Sequence, residues 1–259
     1  MLRKISVVWL VILAAMAVSP SLFTSHSPFQ EDLMRVFQSP DSQHLLGCDA
    51  LGRDLYARLV FGARQSLTIS TVVAFLSILF PLLVSSLILF RGGLWNQLYL
   101  MTLDVFLAFP PLLLAILIVA NQESSGFAHI VFALFLSSWA SNGRILRSYL
   151  LELKSSQFVE AAIAMGASSF RIYWVHIFVN LWDRLVLLWA LRCASILLAE
   201  ATLSFLGLGG GPEMVSWGWL VMSSKDYLTT HPLLSILPAT MIALTVFSFQ
   251  VIGRKLFEN

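Results

Sequence analysis

Charge is scarce in this chain. Charged residues fill 12% of its 259 positions and the formal net charge is only +2, whereas water-soluble domains carry about 25%. A balance so near neutral offers no basic surface for a phosphate backbone, which argues against a nucleic-acid partner. Cysteine is nearly absent: Cys48 lies in a polar stretch and Cys193 in an apolar run, so no disulfide framework is expected. His26, His44, His129, His176 and His231 are scattered without paired ligand spacing, and no metal site is expected from them. No G-x-x-x-x-G-K-[ST] run is present to cradle phosphates; the glycine-rich stretch 207–211 lacks the lysine. The serines and histidines form no nucleophile constellation, so no catalytic residue is expected. Long linkers and low-complexity tracts are missing too.

What is abundant is apolar surface. Hydrophobic residues make up 58% of the chain and mean hydropathy is +0.83. One soluble core of this length could not hide that much, so a lipid bilayer is the expected solvent and the fold class is all-α membrane protein. A spanning helix needs about 20 mostly apolar residues. Six stretches qualify, at 5–22, 67–90, 98–120, 127–146, 185–208 and 233–253. The fourth is the weakest, diluted by Ser137, Ser138, Ser141 and Asn142. Pro81, Pro110, Pro111 and Pro238 fall within or beside these spans; neighbouring helices and hydroxyls can satisfy the backbone groups they free.

The first stretch has a rival reading. Arg3-Lys4, a short apolar run and Ala15-Met16-Ala17 resemble a cleavable secretory signal. Charge favours retention. With six spans and both termini in the cytoplasm, the inner segments hold Arg3, Lys4, Arg91, Arg144, Arg147, Lys154, Arg171, Arg254 and Lys255. The outer segments hold Arg35, Arg53, Arg58, Arg64 and Lys225. That excess follows the positive-inside rule. The expected organisation is a first helix with its outer segment at 1–66, a membrane core at 67–253 and a short cytoplasmic tail at 254–259.

The polar inner stretch 147–180 carries the most information. Residues 157–165 read as a short helix that Gly166 interrupts, with Ser168 and Ser169 as caps for a second short helix over 170–178. Ala161, Ala162 and Ala164 project almost nothing, so another surface can approach closely. Glu160 and Arg171 supply charge on either side. A solvated amphipathic loop is the plainer alternative.

On the outer side, Asp49, Arg53, Asp54 and Arg58 are spaced to pair on one short helical face, punctuated by Gly47 and Gly52 and followed by Arg64. Two readings stand: an outer gate or binding-protein contact, and an interfacial cap on the second span. Charges inside the bilayer are costly and default to function. Asp104 can reach the interface or a neighbouring arginine. Arg192 and Glu200 are eight residues apart, too far around the helix for a direct bond, and are expected to face either a translocation path or a partner. Asp183 and Arg184 sit where they can snorkel. Trp217, Trp219 and Tyr227 before the last span read as an aromatic belt, with solute contact as the alternative.

Three separated blocks resemble the membrane subunits of bacterial ABC importers, the C-type permeases of the dipeptide/oligopeptide/nickel family. The first runs from His44-Leu45-Leu46-Gly47 through Gly52-Arg53-Asp54 to Gly62-Ala63-Arg64. The second runs from Val159-Glu160-Ala161-Ala162 through Gly166-Ala167-Ser168 to His176-Ile177-Phe178-Val179-Asn180. The third is Leu203-Ser204-Phe205-Leu206-Gly207-Leu208-Gly209 with Ser216-Trp217-Gly218. The chain departs from the pattern at Val179, where the family has proline, at Cys48, where threonine is usual, and in its basic tail.

The resemblance implies a type I importer permease fold and a coupling helix built from Glu160, Ala161, Ala162, Gly166, Ala167, Ser168 and Arg171. It implies a second permease, two cytoplasmic ATPases that hold the ATP and magnesium, an extracytoplasmic solute-binding protein, and a place in the bacterial inner membrane. This chain would bind no cofactor itself. Small peptides are the expected cargo, with nickel or a metal chelate as the alternative. An ion-coupled carrier using Asp104 and Glu200 is the rival of another class; such carriers often show repeated halves, and none is found.

Overall fold

The computed structural model describes residues 2–91, 93–121, 126–211 and 213–255. The last four positions of the expected tail, 256–259, lie outside the described residues. Helix dominates because a chain in lipid must satisfy every backbone N–H and C=O internally. The order is α1 (Leu2–Val18), α2 (Leu55–Arg91), α3 (Gly93–Leu107), α4 (Pro111–Ala120), α5 (Phe127–Lys154), α6 (Gln157–Ala164), α7 (Ser169–Arg171), α8 (Phe178–Phe205), α9 (Trp217–Ser224) and α10 (Leu233–Lys255). Among the described residues the only extended pairing is one bridge between Cys48 and Asp54.

Among the described residues, three helices are long and apolar enough to cross a membrane unaided: Leu55–Leu89, Ser169–Phe205 and Leu233–Gly253. A fourth crossing arises if α3 and α4 are counted as one broken span, bent by 77°. The stretch 98–120, expected as one continuous helix, is therefore two. Pro110 and Pro111 supply no amide N–H, and their rings crowd the preceding turn, so the helix stops at Leu107 and restarts at Pro111. Pro81, by contrast, is carried inside α2.

The second span also differs from its expected bounds. It begins at Leu55, twelve residues before the apolar run at 67, because Asp54 caps it: Asp54 Oδ1 accepts the Ala57 amide at 2.6 Å. At the other margin, the expected second short helix over 170–178 is not separate. It starts where Ser168 caps the Arg171 amide, passes through a π-helical turn at Ile172–Ile177 and continues into α8. Val179 explains the continuity. A proline there would have removed a donor, whereas valine lets the ladder run on.

Among the described residues, three apolar clusters hold the bundle together. The largest joins Leu13 of α1, Leu55 to Ala74 of α2, Ala115 of α4, Ile130 of α5, Leu197 of α8 and Trp217 of α9. A second gathers Leu82, Leu146, Leu150, Val159, Ala162, Ile177 and Leu181 around α6. The third seats Tyr99 and Leu103 of α3 against Trp139 and Ala140 of α5. Gly143 permits that last approach, since a Cβ there would lie 2.7 Å from the Tyr99 hydroxyl.

Candidate functional site

The loop around α6 is built to hold a short helix against the body while presenting one face outward. Val159 and Ala162 are buried in the second cluster. Phe158, Ile163 and Met165 are exposed, as are Glu160 and Ala161. Ala162, expected to receive another surface, is thus turned toward its own bundle, because it shares the inward stripe with Val159 three residues earlier. α6 ends in a two-bond αL cap: Gly166, at φ +79°, donates to Ile163 O at 2.9 Å and Ala167 donates to Ala162 O at 3.0 Å. Gly166, Ser168 and Arg171 are all exposed, and Ala167 is half-buried.

An ion pair frames this loop. Glu152 of α5 accepts two hydrogen bonds from Arg184 of α8, both 2.7 Å, and the guanidinium lies 5.1 Å from the Tyr149 ring centre. Arg184 thus has an acidic partner one helix away. The neighbouring pair, Asp104 of α3 and Arg144 of α5, is exposed on both sides. It realises the arginine alternative for Asp104.

The outer block folds as a capped loop rather than a helical face. Asp49 Oδ1 accepts the amides of Leu51 and Arg53, and its Oδ2 meets Arg53 Nε at 2.9 Å and Arg58 Nε at 3.5 Å. Arg58 is fully buried and donates to Pro28 O at 3.2 Å. Gly52 sits at φ +70°, where a Cβ would lie 1.8 Å from Asp32 O. Asp54 does not join the Asp49 pairings; its Oδ2 is 2.7 Å from His44 Nδ1. Arg64 is exposed on α2, six residues beyond Arg58. Cys48 is buried and free, and burial pushes its thiol up.

Two residues that the sequence left as isolated histidines come together here. His26, His44 and Asp54 each offer one ligand-type atom, all within 4.8 Å of one another. They line a cavity of 590 Å³ together with Asp32, Arg35 and Gln43. The loop spacing of 18 and 10 residues carries no periodic signal that would have paired them.

Deeper in the bundle, Glu200 is 1% exposed. Its carboxyl accepts from Ser204 Oγ at 2.7 Å and from Ser66 Oγ at 3.2 Å, and Ser216 Oγ donates on to Ser204 at 3.2 Å. Arg192 is not among its partners and makes no ion pair among the described residues. Trp217 is fully buried beside this cluster: its amide donates to Ser66 Oγ at 3.2 Å and its indole to Leu59 O at 3.0 Å. The aromatic-belt expectation does not hold for Trp217, which is core. Its rigid indole fills the notch left by Gly62, where a Cβ would lie 2.7 Å away.

The chain resembles known proteins in sequence and in fold. Residues 77–257 match the family described as binding-protein-dependent transport system inner membrane component. The chain is similar to the oligopeptide transport system permease protein OppC of Bacillus subtilis (strain 168), 30% identical over 255 residues, covering 98% of this chain and 83% of that protein. It is also similar to the glutathione transport system permease protein GsiD of Escherichia coli O157:H7, 31% identical over 256 residues, with 99% and 84% covered. Among solved structures it shares a fold with a chain of the inward-facing MetNI methionine ABC transporter. The TM-score is 0.60 at 18% identity, over 77% of this chain and 96% of that one.

Proposed function

The chain belongs to the family of binding-protein-dependent transport system inner membrane components, and from that premise we propose that it carries small peptides inward together with a second permease. As an ABC importer permease it is a transport subunit, and ATP is hydrolysed on separate subunits. The peptide assignment rests on the names of the relatives, one an oligopeptide and one a glutathione permease.

The observation that carries the coupling proposal is the division of α6. Val159 and Ala162 anchor it to α5 and α8, while Phe158, Glu160, Ala161, Ile163 and Met165 stay uncovered. An exposed apolar face rimmed by charge, on a helix stopped by a glycine cap, suits a cleft on an ATPase. In this reading Glu160, Ala161, Gly166, Ala167, Ser168 and Arg171 meet the ATPase, and Ala162 sets how closely α6 seats on its own bundle. α1 and α5 complete six spans, with both termini cytoplasmic. An apolar groove between α2 and α8, lined by Phe75, Leu79, Phe178, Trp182 and Val186, faces the second permease.

Arg192 and Glu200 take different parts in the proposed path. Arg192 makes no ion pair among the described residues and, in this reading, faces the path or the partner. Glu200 is held by hydroxyls and braces the outer end, where the 44–64 block, with Asp49, Gly52, Arg53, Asp54 and Arg64, contacts the solute-binding protein. A carrier driven by protons at Asp104 and Glu200 fits less well, since Arg144 already pairs with Asp104.

The test is uptake and ATPase activity of the complete complex in vesicles. Glu160→Lys and Gly166→Val are expected to abolish ATP-driven uptake while the subunit still inserts. Unimpaired uptake in both variants would defeat the coupling role.

A further inference from the structure

We propose that the outer loop holds a binding site for a late first-row divalent cation such as zinc, with His26, His44 and Asp54 as ligands. Two imidazoles and one carboxylate form a donor set suited to such ions. Their ligand atoms lie within 4.8 Å of one another on the wall of a cavity of 590 Å³. Two ligands bound tetrahedrally at about 2.0 Å from one zinc ion are about 3.3 Å apart, so small side-chain rotations close the set. The His44 Nδ1 to Asp54 Oδ2 separation of 2.7 Å is already near that bite.

The outer contacts fix each ligand as metal sites require. Asp54 commits Oδ1 to the Ala57 amide, leaving Oδ2 for the cavity side. His26 Nε2 lies 3.0 Å from Gln43 O. A carbonyl only accepts, so Nε2 carries the proton and Nδ1 keeps the lone pair. His44 is held from both sides: Asp54 at Nδ1 and the Arg35 guanidinium at Nε2, 2.5 Å away. Arginine only donates, so Nε2 accepts and Nδ1 bears the proton given to Asp54.

Arg35 is therefore a guard on the site. When the cation takes Nδ1 of His44, the ring proton moves to Nε2, no net proton is lost, and Arg35 must withdraw. Its Nε already pairs with Asp32 Oδ2 at 3.1 Å, so the guanidinium keeps a carboxylate partner when Nη1 leaves His44. Binding would tie the segment after α1 to the cap of α2, stiffening the loop that closes the outer end of the bundle. The site does not depend on which solute the transporter carries.

The experiment is zinc titration of the full chain in lipid nanodiscs, competed against a chromophoric chelator, with cobalt absorption reporting ligand geometry. Wild type is expected to take up one equivalent. His26→Ala is expected to weaken zinc at least about tenfold, and His231→Ala, outside the cluster, to leave it unchanged. Arg35→Met is expected to tighten binding, since it frees Nε2 and removes a positive charge; a loop merely damaged by substitution would bind more weakly. Equal affinity in wild type and His26→Ala overturns the site. So does weaker binding in Arg35→Met, or no uptake by wild type.

Discussion

Ser66 and Glu200, 134 positions apart in the chain, meet through a 3.2 Å hydrogen bond inside the bundle. The Ser66 hydroxyl also accepts the Trp217 amide at 3.2 Å, so one oxygen ties α2 to both α8 and the start of α9. A carboxyl whose hydrogen-bond partners among the described residues are hydroxyls, buried to 1% exposure, is a costly feature unless its geometry is needed.

Removing that carboxyl should therefore be felt. Glu200→Ala leaves Ser66 and Ser204 without their acceptor and opens a void, at an expected cost of about 2–4 kcal/mol. Glu200→Gln keeps an acceptor of the same shape and should lose less than half as much. Thermal unfolding of the purified chain in detergent measures both; equal losses would show that hydrogen bonding is not what Glu200 supplies.

Gly218 tests how tightly α9 is seated. An added Cβ would lie 2.6 Å from Ala201 Cα and 2.7 Å from Ala201 O, both backbone. Neither atom can swing aside, so Gly218→Ala should destabilise by about 1–3 kcal/mol and shift α9 off α8. Gly166→Ala meets nothing within 4 Å but must adopt φ +79°, costing about 1–2 kcal/mol of local strain. Melting curves should thus show a global loss for Gly218→Ala. Limited proteolysis should show opening confined to 157–171 for Gly166→Ala.

The Glu152–Arg184 pair makes a prediction of modest size. Both groups are partly exposed, at 60% and 33%, and solvent screening keeps the contribution of such pairs small. Glu152→Arg should therefore leave the chain folded while weakening how firmly α5 and α8 frame α6. The double exchange Glu152→Arg with Arg184→Glu should restore the ratio of solute moved to ATP hydrolysed in the complete transporter. Failure of the exchange to recover any of the loss would remove the pair from that role.

Asp41 gives a pH dependence. The amides of His44 and Gln43 donate to its carboxylate at 2.6 and 2.8 Å and hold its pKa below the ordinary value. A depressed folded pKa stabilises the loop above the unfolded value, about 3.9, and that contribution disappears as pH falls through the folded value. The melting difference between wild type and Asp41→Asn should be constant near neutrality and shrink below about pH 4. A difference that grew on acidification would reverse the assignment.

The order of the elements was largely legible in the sequence, because a bilayer imposes a length and an apolarity that any helix crossing it must show. The apolar runs at 67–90 and 233–253 each sit inside a long helix, that at 185–208 overruns α8 by three residues, and the glycine stop after α6 was readable at Gly166, since few residues other than glycine take φ +79° readily. Local chemistry that competes with hydropathy was harder to weigh. Asp54 extended α2 outward, Pro110 and Pro111 divided 98–120, and the loss of proline at Val179 fused the loop helix to α8.

Which polar groups meet was decided only by the tertiary structure. Glu200 finds Ser66 rather than Arg192, Arg184 finds Glu152, and His44 finds His26 and Asp54 across a loop. Sequence periodicity reports which face of a helix avoids water, and it did so here. It is silent on partners 32 to 158 residues away, because those contacts depend on how whole helices cross, and crossing is set by the packing of many side chains at once.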